Sequence, residues 1–170
     1  MSTPHTVKPS QFIISSGQAI EVETQVTSFR QWTGVPMENT YGGKAVIDYD
    51  GEPLFAELAI LRSLQKLGFD GVWVDNYRKC FRNRMSEKCM LPPHAQELFN
   101  AIVLKNGGKR HGCWDVFAWK DGHYLFVESK QRSGKYKDRM QKTQSAWLEA
   151  ALKAGVDASC FRICNWDVKP

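Results

Sequence analysis

Disulfide and zinc patterns are missing from this chain. Its five cysteines, at positions 80, 89, 113, 160 and 164, are odd in number and include no Cys-x-x-Cys pair. That spacing offers neither a disulfide framework nor a structural zinc site, so a reducing, intracellular setting is expected. Cys160 and Cys164 fall in a predicted strand and are read as small buried residues. The stretch Met1–Ser10 lacks the apolar core of a signal peptide. No run approaches the ~20 apolar residues of a membrane-spanning helix, so no membrane partner is expected. Internal repeats and low-complexity tracts are absent too.

What remains is an ordinary globular composition: 170 residues, 42% hydrophobic and 24% charged. One compact domain over 44–170 is expected, preceded by an arm or extension over 1–43 in which no chemistry is apparent. The net charge of +5 is unevenly spread. Residues 105–142 hold ten Lys/Arg against four Asp/Glu, and residues 78–88 hold five against one. Such basic segments suit a polyanionic partner, DNA above all, although solvated loops of the same charge are the plainer alternative. Within the first segment, Arg110, His111, Arg132, Lys135, Lys137 and Arg139 are the candidate substrate contacts. His94 and His111 are candidate phosphate or leaving-group contacts, with surface or packing roles as the competing reading.

The most informative stretch is 113–130. Two runs of strand-forming residues flank Asp121-Gly122, a pair suited to the two left-handed positions of a type I′ turn. With those two residues as the loop, Lys120 faces His123, Trp119 faces Tyr124, and Asp115 falls opposite Glu128. A four-residue loop keeps that pairing; an odd loop or a bulge breaks it. Side chains alternate along a strand, so Lys130 shares a face with Glu128. Directly opposed carboxylates have Cβ atoms about 4.5–5.5 Å apart and repel. A Mg²⁺ or Mn²⁺ ion between them would relieve the repulsion, and Lys130 could hold a phosphate oxygen or offset developing negative charge. The rival reading is a solvated hairpin face.

Around that hairpin the periodicities predict a short strand at 44–48, a helix over 53–67 and a strand over 71–77. A basic loop or irregular insertion follows at 78–91, then an inserted helix over 92–105. After the hairpin come a helix over 138–154 and a last strand over 156–164. Glu57 sits at or beside the leucine stripe of the first helix, either paired or metal-linked, or reaching solvent from the stripe's edge. Gln144 lies one turn from Met140 and Leu148 on the last helix. There it either points inward toward a partner such as Lys130 or rides the helix border. Helices over a small mixed sheet make an α/β sandwich.

The order helix-borne Glu57, Asp115, Glu128-Ser129-Lys130, then helix-borne Gln144 resembles the PD-(D/E)xK nuclease superfamily. Within it, Gln144 with Trp147-Leu148 and Gly155-Val156 make the virus-type replication-repair nuclease (VRR-Nuc) domain the nearer likeness. Trp114 stands where that pattern has proline, and the final strand has Arg162 but no paired arginines. The resemblance spans about residues 53–164 and is sharp over 110–156. It implies a restriction-endonuclease-like αβββαβ core, with the inserted helix preceding the catalytic hairpin. It implies that Asp115, Glu128 and the Ser129 carbonyl bind Mg²⁺ or Mn²⁺, with Glu57 supporting the metal through water. Lys130 then acts on the attacking water and the phosphate, and Gln144 positions Lys130. The implied activity is metal-dependent DNA endonuclease, selective for branched, flap or Holliday-junction DNA, from a homodimer. The alternatives are an inactive nucleic-acid-binding module of the same fold, or an exonuclease or restriction-type defence nuclease.

Overall fold

The structure, a computed structural model, describes residues 1–133 and 140–170. In chain order it has β1 (His5–Ile13), β2 (Ala19–Gln31), β3 (Ile47–Tyr49), β4 (Glu52–Leu54) and α1 (Ala56–Lys66). Then come β5 (Asp70–Asp75), β6 (Cys80–Arg82), β7 (Lys88–Cys89), α2 (Pro93–Lys105), β8 (Val116–Lys120) and β9 (His123–Gln131). The chain closes with α3 (Lys142–Lys153), a single 3₁₀ turn (Ala158–Cys160) and β10 (Phe161–Lys169). The fold is mixed α/β. The ten strands of the described residues belong to one sheet, ordered β4-β3-β2-β10-β9-β8-β5-β6-β7, with β1 paired to β2.

That sheet is far larger than the small one expected. The 1–43 segment supplies its two longest additions: β2 runs parallel to β10, and β1 pairs antiparallel with β2. The register of β1 slips between Val7 and Ser10, across Pro9, which cannot donate to a ladder. At the opposite edge, the 78–91 stretch expected as a loop contains β6 and β7.

Alternating side chains split the core into two layers. Val116, Ala118, Leu125 and Val127 face α1 through Leu58, Leu61 and Leu64. Phe117, Phe126 and Phe161 face α2 and α3 through Phe99, Ile102, Trp147 and Leu148. The Phe117 and Phe126 rings stack at 4.5 Å, and Phe126 stacks on Phe161 at 5.1 Å, which locks β8, β9 and β10 in register on the α3 side. The two-residue turn forms as its sequence predicts. Asp121 and Gly122 have φ of 48° and 77°, and Lys120 pairs with His123.

Several boundaries differ. The first helix starts at Ala56 rather than at 53, because Pro53 lies in β4, paired with Asp48 of β3. The last helix begins at Lys142, and Met140 and Gln141 precede it in non-helical backbone. The predicted final strand was set too early. The Asp157 side chain accepts from the Ser159 amide at 2.8 Å and closes the 3₁₀ turn, so the strand begins only at Phe161. No helix among the described residues is long and apolar enough to cross a membrane.

Candidate functional site

Asp115 stands immediately before β8, one pair beyond Val116↔Val127, and so on the face that carries Phe117, Phe126 and Glu128. Its main chain is tied to the neighbouring strand, where the Val74 amide donates to its carbonyl at 2.7 Å. Its Oδ2 accepts from the Ser129 amide at 2.9 Å. Glu128 is 1% exposed and Lys130 is 5% exposed, and their Oε1 and Nζ are 2.9 Å apart. Gln144 joins the pair from α3: its Nε2 donates to Glu128 Oε1 at 2.5 Å and its Oε1 accepts from Lys130 Nζ at 3.2 Å. The same Oε1 accepts from the Gln141 amide at 2.8 Å, so the start of α3 fixes which way the amide points. Glu128, Lys130, Gln144 and the Gln141 amide thus share one polar network between β9 and the start of α3.

One member is not fully paired. Glu128 Oε2 is buried and has no hydrogen-bond partner among the described residues. Burial pushes the Glu128 carboxyl well above its usual range, and the Asp115 charge pushes the same way, against Lys130. Burial, then the Glu57 charge, lifts Asp115 to about 6. Two buried carboxyls that are both raised, one of them with an oxygen lacking a partner among the described residues, are short of positive charge. These donors fit a hard divalent cation that keeps much of its water shell. No cluster of three or more His, Cys, Asp or Glu able to hold an ion occurs among the described residues.

Glu57, in the first turn of α1, pairs instead with Lys44. Burial pulls the Lys44 amine down, but the Glu57 charge and hydrogen bond, with smaller help from Asp115 and Asp75, leave it raised. The Lys44 ammonium also lies 5.6 Å from the Trp73 ring centroid and 5.8 Å from that of Phe55. Sequence reasoning missed Lys44, which follows a Tyr-Gly-Gly turn and carries no local signal. It also missed Asp75, whose buried carboxylate binds Arg82 at 3.1 Å. Here a signal existed, since an acid ending a strand as apolar as Gly-Val-Trp-Val needs a cation.

The other expected residues scatter. The Ser129 hydroxyl accepts from Trp166 Nε1 at 2.8 Å, so this side chain is committed to the opposite layer. Arg110 is half-buried, its guanidinium 5.1 Å from the Phe81 ring and 5.6 Å from the Phe99 ring. His111 is exposed. Arg132 is exposed and 4.0 Å from Asp167. Lys135, Lys137 and Arg139 lie outside the described residues. His94 packs against Trp119 and Tyr124.

Trp114, directly before Asp115, has a task of its own. Its Nε1 donates to the Gln144 carbonyl at 3.1 Å while its ring packs on Phe161, so it ties β8 to the first turn of α3. Gly112 brings the two elements close. It has φ of 87°, and a Cβ there would meet the Thr143 carbonyl oxygen at 2.2 Å. Gly112→Ala is therefore expected to cost about 2–4 kcal/mol in thermal or denaturant unfolding, by backbone strain and displacement of α3. Gly122→Ala, with nothing within 4 Å of the added Cβ, should cost about 1 kcal/mol. Equal losses at the two positions would rule out the Thr143 contact as the cause. Comparison with known families, curated proteins and solved structures finds no match for the chain.

Proposed function

We propose that this protein is a metal-dependent DNA endonuclease with a restriction-endonuclease-like core, acting on branched or flapped DNA. The observation that carries the reading is the buried Asp115–Glu128 pair, with its orphaned Glu128 oxygen, beside a lysine held by Gln144. The order of the site-bearing elements, with α1 and α3 on opposite faces of β8 and β9, agrees with the PD-(D/E)xK resemblance. Asp115 and Glu128 would hold Mg²⁺ or Mn²⁺. When bound, such an ion neutralises phosphate oxygens and lowers the pKa of a coordinated water. Lys130, anchored by Glu128 and Gln144, offers its ammonium to the attacking water and to the charge that develops on phosphate. Gln144 is a positioning residue, and Lys44 is a second cation at the edge of the same site.

A second reading, a binding module without turnover, is favoured by the Lys44–Glu57 pair, which occupies the third carboxylate. One experiment separates the two. Linear duplex, flap, four-way junction and single-stranded DNA are incubated with Mg²⁺, Mn²⁺ or EDTA, with Lys130→Ala as control. Metal-dependent products on branched DNA that vanish in the control support the nuclease. Binding without any metal-dependent product, at enzyme in excess, would establish the module.

A further inference from the structure

The β5–β6 turn carries a large aromatic ring that the fold leaves in water. Tyr77 is 89% exposed. The turn beneath it is firmly built. Asp75, only 3% exposed, accepts from the Arg78 amide at 3.1 Å through Oδ1 and from Arg82 Nε at 3.1 Å through Oδ2. The Arg78 guanidinium carbon lies 3.8 Å from the Tyr41 ring centroid and 5.5 Å from that of Tyr77. The Arg78 guanidinium, 3.6 Å from Asp75 Oδ2 and held against Tyr41, thus stands beside the open Tyr77 phenol ring on a braced turn. Lys79, Arg84 and Lys88 are exposed nearby in sequence and add positive charge.

The turn also belongs to the carboxylate site by position. The Asn76 side chain donates to the Cys113 carbonyl at 2.6 Å, and the Val74 amide donates to the Asp115 carbonyl at 2.7 Å. β5 and the turn that carries Tyr77 are therefore pinned to the two residues flanking Trp114, at the same end of the sheet as the acids. Exposed aromatic rings and arginine planes beside basic residues are surfaces on which unpaired bases stack; bases inside a continuous duplex already stack on one another and cannot enter.

We propose that Tyr77 and Arg78 form a stacking platform for an unpaired nucleobase of the DNA strand whose backbone lies at Asp115 and Glu128. The proposal rests on the nucleic-acid reading above and narrows it. Unpaired nucleotides beside the bond to be cut become a requirement for tight binding, which favours flaps, forks and junctions over unbroken duplex.

The test uses the full chain with Ca²⁺ in place of Mg²⁺ and oligonucleotides carrying one 2-aminopurine. These are a single strand, a flap, a continuous duplex of the same sequence, and the single strand as RNA. Tyr77→Ala is expected to weaken binding to the single strand and the flap about tenfold and to abolish the 2-aminopurine quench. Duplex affinity should stay within about twofold, and Tyr77→Trp should behave as wild type. If Tyr77→Ala binds the flap with wild-type affinity and quench, the platform is overturned and the nuclease reading survives. Equal losses on flap and duplex also overturn the platform. A wild type that binds none of the DNAs overturns both readings, and one that takes the RNA strand and refuses DNA overturns the DNA assignment.

Discussion

Lys130→Met and Glu128→Gln are each expected to leave a folded protein in which the proposed metal-dependent cleavage falls by about 10³-fold. The substitutions are chosen with stability in mind. Glu128 and Lys130 are both buried and 2.9 Å apart, and stripping one partner from such a pair costs about 3–5 kcal/mol by stranding the other charge. In Glu128→Gln the new amide oxygen can still accept from Gln144 and Lys130, so the network around α3 survives while the charge that would hold a cation is gone. In Lys130→Met the remaining Glu128, already pushed upward by burial and by Asp115, takes up a proton rather than standing as a bare anion. Cleavage of flap DNA, run beside thermal unfolding of the same preparations, checks both halves. Either variant retaining activity within tenfold of wild type, at equal purity, would remove the roles assigned to this pair.

Asp115→Asn should make the metal-free protein more stable at pH 7.5, by roughly 1–3 kcal/mol, while abolishing turnover. Burial and the Glu57 charge lift the Asp115 carboxyl to about 6, above the ~3.9 of an unfolded chain. The folded state therefore binds the proton more tightly than the unfolded state does. The stability this confers is full below the unfolded value and is lost as pH rises through about 6. An asparagine needs no proton, and its amide oxygen can keep the bond from the Ser129 amide. The two proteins should converge below about pH 4 and diverge above 6. Divalent metal should raise the unfolding temperature of the wild type at pH 7.5 but not at pH 5, because only the ionised pair attracts it. Unfolding curves at four pH values, with EDTA and with Mn²⁺, measure both effects. A wild type equally stable at pH 5 and 7.5 in EDTA would contradict the origin given for this shift.

The hairpin was legible because its pairing is local. Asp121-Gly122 names its own turn, and the turn sets the register out to Val116 and Val127 without help from the rest of the chain. The Gln144–Lys130 contact was legible too, since a short connection and an inward amide leave few partners in reach. What could not be read depends on distant chain. Lys44 is informative only once α1 has placed Glu57 beside it. Gly112 looks like any loop glycine until Thr143 arrives from thirty-one residues away. The size of the sheet was missed for the same reason. β2 reads as an ordinary alternating strand, and nothing local says that its neighbour is β10 rather than another part of the 1–43 segment.

The place of β10 has a consequence for synthesis. This strand, the last in the chain among the described residues, lies between β9 and β2, so within the described sheet it joins the β1–β2 hairpin to the strand that bears Glu128 and Lys130. On the ribosome, β9 has a bare edge until residues 161–169 emerge, and the hairpin made first can pair only with β3. Pairing across such long separations is slow, and an open strand edge invites pairing with other chains. Until β10 is in place, the edge of β9 from Phe126 to Gln131 is the one that β10 will cover, and its backbone groups have no strand partner on that side.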